Sequence, residues 1–211
     1  MLRKFTLFLG TLCFLFGGAH LFAIPHQPPH EIPPAGIILG DGEHLLCGKS
    51  RDGKIELHNG AQFKVLPGEV EKVMQEWDYY DHLAFSPNPY PFGGSNFYVT
   101  NLTRGGFVHA EYWAGPRFNN IYTLTIHHID PYYGEIYLID SHKRPEDRTI
   151  TRWIIEPKDW EHIKRWERGE TVIVGLNSNW FAGMFSSHPF ILVSYENFQF
   201  VKYVRASPQP L

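Results

Sequence analysis

The sequence predicts a mainly β protein, a β-rich α+β chain of two tandem small modules. Each module is expected to be a curved sheet or partly open barrel with one short helix. Three observations predict this. Short segments with period-two apolar alternation recur between turn residues. The 19 glycines and 16 prolines in 211 residues favour short elements over long helices. A block of about 80–90 residues occurs twice, the mark of one supersecondary unit per copy.

The repeat is read from residues in matching order. Phe63-Lys-Val-Leu-Pro67 precedes Glu71 and Trp77, as Trp153-Ile-Ile-Glu-Pro157 precedes Glu161 and, after a one-residue gap, Trp166. Further along, Asp81 faces Glu170, Asn88 faces Asn177, and Phe92 faces Phe181. Phe97-Tyr-Val-Thr100 then pairs with Phe190-Ile-Leu-Val193, and Phe107-Val108 with Phe200-Val201. Upstream, Gly53-Lys-Ile55-Glu-Leu57 echoes Gly134-Glu-Ile136-Tyr-Leu138.

Within each copy, Ile55 and Leu57, or Ile136 and Leu138, alternate with polar residues as in a half-buried strand. Asn59-Gly60 turns the chain into a strand beginning at Phe63, whereas copy two has a longer charged loop, Ser141–Arg148. Pro67 and Pro157 suit the first helical position, and Glu69 and Glu71 favour the positive end of the helix dipole. Val70, Val73, Met74 and Trp77 make one apolar helical face, as Trp160, Ile163 and Trp166 do in copy two. Helices of about three turns are unstable alone and must dock on a sheet. Leu83 and Phe85, like Val172 and Val174, begin the next strand, and an aromatic hairpin completes each unit. Trp77, Trp166, Phe107 and Phe200 are expected in the core.

The organisation is expected as signal peptide 1–23, proline-rich linker 24–36, module copy one 37–116, module copy two 117–205 and a tail 206–211. Arg3 and Lys4, the apolar run Phe5–Phe16 and the small-residue exit at Ala23 have the pattern of a secretory leader. The protein is therefore expected to be exported, to the periplasm, cell envelope or secreted space, with no transmembrane segment after cleavage. The mature chain keeps a single cysteine, Cys47, beside Leu45 and Leu46. It is expected to be buried and unpaired, so the core alone stabilises the fold. The formal charge of −3 offers no basic field for nucleic acid.

The order of strand, turn, aromatic strand, tryptophan-ended helix, acidic residue, strand, asparagine and aromatic hairpin resembles a module of small exported proteins of intracellular, chlamydia-like bacteria. In that module Asp-Gly-Ser precedes the aromatic strand and Gly-Asp follows the helix tryptophan. Here the first becomes Asn59-Gly60-Ala61 or Asp140-Ser141-His142, the second Tyr80-Asp81 or Gly169-Glu170. The resemblance spans most of residues 37–205. It implies location and fold and brings no chemistry.

The chain is expected not to be an enzyme and to need no cofactor. It has no phosphate loop, dinucleotide fingerprint, nucleophile elbow or Cys-x-x-Cys. The leading expectation is an exported interaction or structural protein with a protein or glycan partner. One alternative is a carbohydrate-binding module with Tyr90, Phe92, Trp180 and Phe181, in corresponding loops, as ligand-binding aromatics. Another is a metal-dependent hydrolase drawing on His127, His128, Asp130 and His142, residue types that ligate zinc or iron. His127 and His128 are adjacent on an expected strand, so alternation sends them to opposite faces. The bland reading keeps these histidines solvated and has the loop aromatics cap each module.

Overall fold

The computed structural model describes residues 41–90, 95–140, 143–178 and 186–211. The expected leader and linker lie outside them. Among the described residues no helix is long and apolar enough to cross a membrane.

Copy one runs β1 (Glu43–Lys49), β2 (Lys54–Leu57), β3 (Gln62–Val65), a 3-10 turn (Pro67–Glu69), α1 (Val70–Glu76), β4 (His82–Pro87), β5 (Phe97–Asn101) and β6 (Phe107–Ala114). Copy two runs β7 (Leu124–Asp130), β8 (Glu135–Ile139), β9 (Ile150–Ile155), a 3-10 turn (Pro157–Asp159), α2 (Trp160–Ile163), β10 (Thr171–Leu176), β11 (Phe190–Ser194) and β12 (Val204–Gln209). Each copy closes into a six-stranded antiparallel barrel, ordered β1-β2-β3-β6-β5-β4 and β7-β8-β9-β12-β11-β10. Closure removes the edges that an open sheet would expose.

The pairing registers make the repeat explicit. β1 has a bulge between Leu46 and Gly48 opposite β2, and β7 has one between Ile126 and His128 opposite β8. Gly53 and Gly134 both take positive φ, with no room for a β-carbon against Val70 and Trp160, the first helical residue of each copy. The helix therefore seats directly on the strand turn.

Each 3-10 turn is tied to the sixth strand of its barrel by one carboxylate. Glu69 accepts from the backbone N–H of His109 and lies 2.9 Å from its Nδ1. Asp159 likewise accepts from Arg205 N (2.9 Å) and Nη1 (3.0 Å). The recurring acids brace the β5–β6 and β11–β12 hairpins. Asn101 donates to Asp81 at 2.7 Å, and Asn197 donates to Glu170 at 2.8 Å.

These registers revise three expectations. Val99 pairs with Val108, and its counterpart Leu192 pairs with Val204, so the counterpart of Phe107-Val108 is Tyr203-Val204, not Phe200-Val201. Copy two inserts residues at its hairpin tip, where turns between Tyr195 and Val201 carry Asn197 back to Glu170. Trp77 and Trp166 are buried as expected, but Phe107 and Phe200 are 48% and 63% exposed. Lys72 and Arg165 stand over their rings instead. Ala206–Gln209, expected as a tail, complete β12 opposite β9. The α2 helix is also shorter than α1, consistent with the one-residue gap between the copies.

The two cores are not equivalent. Barrel one packs Phe63, Phe85, Phe97 and Trp77 inside, and its cluster extends to Ile173, Ile191 and Val193 of copy two. Phe198 stacks on Phe97 and meets Tyr112 edge-on. Barrel two packs Trp153, Ile163, Trp166, Val172, Val174 and Leu192. Thus β10 and β11 bury one set of side chains in their own barrel and the alternate set against barrel one. One close approach is at Gly175, where an added β-carbon would sit 2.5 Å from the Phe85 ring and 2.7 Å from its carbonyl oxygen.

Gly175→Ala should therefore destabilise the whole chain by about 1–3 kcal/mol, the usual cost of overpacking. Urea unfolding measures it. An unchanged midpoint would mean that the barrels separate freely at this seam.

Candidate functional site

A cleft of about 480 Å³ opens where the barrels and their connecting segment meet. That volume lies within the range of about 300–1,000 Å³ common to small-ligand sites. Barrel one contributes His44 from β1 and His58 after β2, and the connecting segment contributes Tyr122. Barrel two contributes Leu124, Asp140, Thr149, Trp153 and Val172–Val174.

Strand equivalence explains the position of the cleft. His44 pairs opposite Leu83, and Leu124 pairs opposite Val172 in the same register. Phe63 and Phe85 correspond to Trp153 and Val174. In barrel one these residues belong to the cluster that β10 and β11 extend. In barrel two their counterparts belong to the core cluster and also line the cleft.

The walls are held by short-range chemistry. Asn120 donates to the His58 carbonyl at 2.9 Å, and the Arg117 amide donates to Asn59 O at 2.9 Å. These bonds fasten the connecting segment to the β2–β3 turn. Tyr122 then meets the His58 ring edge-on at 5.0 Å. Asp140 is buried, pairs with Lys143 at 2.6 Å and accepts from Thr149 N at 2.6 Å. Its role is to order the loop before β9.

His44 and His58 lie side by side, their ring centroids 5.3 Å apart. His44 Nε2 lies 2.8 Å from the Val174 carbonyl across the barrel junction. A carbonyl only accepts, so Nε2 carries the hydrogen and Nδ1 is left as an acceptor, which has no partner. The amide of Leu45 donates to His58 Nδ1 at 3.2 Å. Burial lowers His44 to about 4, only partly offset by the Val174 bond and by Glu43. Burial, together with the neighbouring His44, lowers His58 to about 3. Both rings are neutral at physiological pH.

The sequence-predicted sites are distributed differently. Tyr90 is 57% exposed, and its amide donates to Asn88 Oδ1. Asn88 and Asn177 brace the necks of corresponding loops, donating to Ser95 O and His188 O. Phe92, Trp180 and Phe181 lie outside the described residues, as does His142. His127 is the extra residue of the β7 bulge, which interrupts the alternation expected to separate it from His128. His128 packs against Tyr137, and Asp130 accepts from the amides of Tyr132 and Tyr133. Among the described residues no group of three His, Cys, Asp or Glu side chains is placed to hold a metal. Cys47 is buried and free of disulfide, as expected.

Sequence reasoning passed over His44, His58 and Tyr122. The signal for His44 lay in the repeat: a histidine stands where copy two has Leu124. Comparisons with family models, curated proteins and solved structures return no match.

The paired histidines give the junction a definite pH response. In the unfolded chain both ionise near the ordinary histidine value of 6.5, but when folded only near about 4 and about 3. The unfolded state binds these protons first, so stability is full above pH 6.5 and falls as pH drops towards 4. At about 1.4 kcal/mol per unit, His44 alone is worth about 3 kcal/mol across this window. Glu170, pushed up by burial, acts with the opposite sign. The difference between wild type and His44→Leu isolates the histidine contribution. The variant should lower Tm near pH 7 through loss of the Val174 bond, yet show a flatter decline between pH 6.5 and 4.

Proposed function

We propose that the protein is an exported, non-catalytic binding protein whose recognition site is the cleft at the barrel junction. The observation that carries this reading is the inequivalence of the two copies. Phe63 and Phe85 of copy one lie in a core cluster that Ile173, Ile191 and Val193 of copy two extend, whereas their counterparts Trp153 and Val174, packed in barrel two, also line a cleft of ligand size. The walls are fastened by hydrogen bonds before any ligand arrives, which limits the ordering cost of binding. Export rests on the amino-terminal pattern and on the separate resemblance carried by residues 37–205.

The test is native mass spectrometry of the chain purified from its exported location. A bound small species is expected in wild type and lost in Thr149→Trp, which fills the cleft from an exposed position with Tm unchanged. Retention of the species in Thr149→Trp would place binding elsewhere.

A second reading, glycan binding, is favoured by one surface of barrel one. Tyr98, Phe107 and His109 form a set of edge-on ring contacts at 4.8–5.7 Å, with Lys72 over Phe107. Burial, then nearby Tyr90 and Glu69, raise the Tyr98 hydroxyl. Exposed aromatic faces beside polar groups suit sugar rings. Among the described residues the equivalent surface of copy two lacks the tyrosine, because Ile191 replaces Tyr98 and is buried against barrel one. On this reading Tyr90→Ala and Phe107→Ala weaken retention on immobilised polysaccharide and leave Tm unchanged. Equal retention by both variants removes it.

A further inference from the structure

The aromatic surface of barrel one continues beyond Tyr98, Phe107 and His109, and its far end narrows the ligand, on the reading that this surface binds glycan. The outward residues of β6 are Phe107, His109, Glu111 and Trp113, alternating with the buried Val108, Ala110 and Tyr112. Phe107 and Trp113 end the row, and both are about half exposed, Trp113 at 52%. Six strand steps set them at most about 20 Å apart. Trp113 is the extra residue of a β-bulge, since Phe63 pairs with Tyr112 and Gln62 with Ala114. In copy two Trp153 pairs with Pro208 and Arg152 with Gln209 without interruption, so Trp113 has no counterpart there. Barrel two closes without such a residue, so closure does not require the exposed tryptophan.

Both ends of the row are built alike. Lys72 stands over the Phe107 ring at 5.9 Å and donates to the Phe107 carbonyl at 3.0 Å. Lys54 stands over the Trp113 ring at 5.7 Å and pairs with Asp52 at 3.1 Å. Charge along the row is balanced from within. Lys54 and Lys64 share Asp52, Glu69 holds His109, and Lys64 faces Glu111 across the β3–β6 register. Three lysines, Lys54, Lys64 and Lys72, thus stand with three carboxylates, Asp52, Glu69 and Glu111. A surface of compensated charge offers an ionic partner little Coulomb attraction and complements an uncharged one. We propose that the outward row of β6 holds an uncharged, linear, β-linked polysaccharide of the cellulose type. One stacking position is the Tyr98–Phe107 end and a second is Trp113. The sugar rings lay flat C–H faces on the aromatics, and His109 and Glu111 between the ends bond their hydroxyls. An extended chain reaches both ends, whereas a disaccharide reaches one.

The test titrates the full chain with cellohexaose, cellobiose and a galacturonic acid hexamer, following the Trp113 indole and Phe107 amide signals in ¹H–¹⁵N spectra. Cellohexaose is expected to shift both signals with one shared Kd, tighter than that of cellobiose, and the acidic hexamer to bind more weakly. Trp113→Ala should raise the cellohexaose Kd about fivefold and leave Tm and the cellobiose Kd at the Phe107 end unchanged. If Phe107→Ala weakens cellohexaose and Trp113→Ala does not, the sugar is confined to one end. That result overturns the extended row and leaves the glycan reading standing. Acidic hexamer binding as tight as cellohexaose overturns the uncharged assignment. A synthetic Ile24–Pro34 peptide that shifts both signals where cellohexaose does not would make the row a groove for an extended proline-rich chain and overturn the sugar. If no sugar shifts either signal, both the row and the glycan reading fall.

Discussion

The β10–β11 hairpin is apolar on both faces, and the rest of the arrangement follows from that. Val172, Val174 and Leu192 fill barrel two, while Ile173, Ile191 and Val193 must also leave water and do so against barrel one. The corresponding outward positions of copy one are Ala84, Tyr98 and Thr100, which are smaller or more polar. Burial of three β-branched side chains is worth several kcal/mol at about 1.5–3 kcal/mol each, an upper estimate because the unfolded chain already hides part of them. A Gly175 without a β-carbon lets the strands approach closely enough to gain it. Two similar barrels are thereby locked in a head-to-tail relation, in which one contributes core residues and the other an outer face.

Each barrel is stabilised by the same internal devices with different chemistry. A helix docks over a positive-φ glycine, a carboxylate ties the helical entry to the sixth strand, and an acid braces the hairpin. The differences are electrostatic. Burial opposes the charge on Asp81, but the Asp78 amide, Asn101 and the Arg104 guanidinium more than offset it and hold the carboxyl low. Burial also opposes Glu170, and its neighbour is Glu196 rather than an arginine, so its carboxyl is raised. In copy one Lys49 additionally donates to the last carbonyls of α1, Met74 O at 3.1 Å among them, where its charge complements the helix dipole. The counterpart of Lys49 is Ile129, which packs on the core. Duplication preserved the mechanical contacts and left the charges to diverge.

The cleft is a geometric consequence of the head-to-tail lock. A symmetric face-to-face pairing would cover the same residues in both copies. Here Trp153 and Val174 line a cavity, and the histidine that replaces Leu124 in copy one spans the junction to Val174. The neutral state of His44 is a structural requirement, since a second proton on that ring would have no acceptor. The packing that joins the barrels thus also sets the acid–base character of the cleft.

The sequence by itself determined the duplication, the β-rich class and the placing of each short helix, because proline, glycine and period-two alternation act over a few residues and leave a local trace. Pro67, Pro157, Gly53 and Gly134 were legible for that reason, as was the burial of Trp77 and Trp166. The counterpart of Phe107 was misread, because insertions at a hairpin tip shift strand register without changing local pattern. Barrel closure, the bulge at His127 and the exposure of Phe107 and Phe200 depend on which strand lies alongside. The cleft was beyond local reading altogether. His44, His58, Tyr122 and Asp140 are widely separated in the chain, and only the two-faced burial of β10 and β11 brings them to one place.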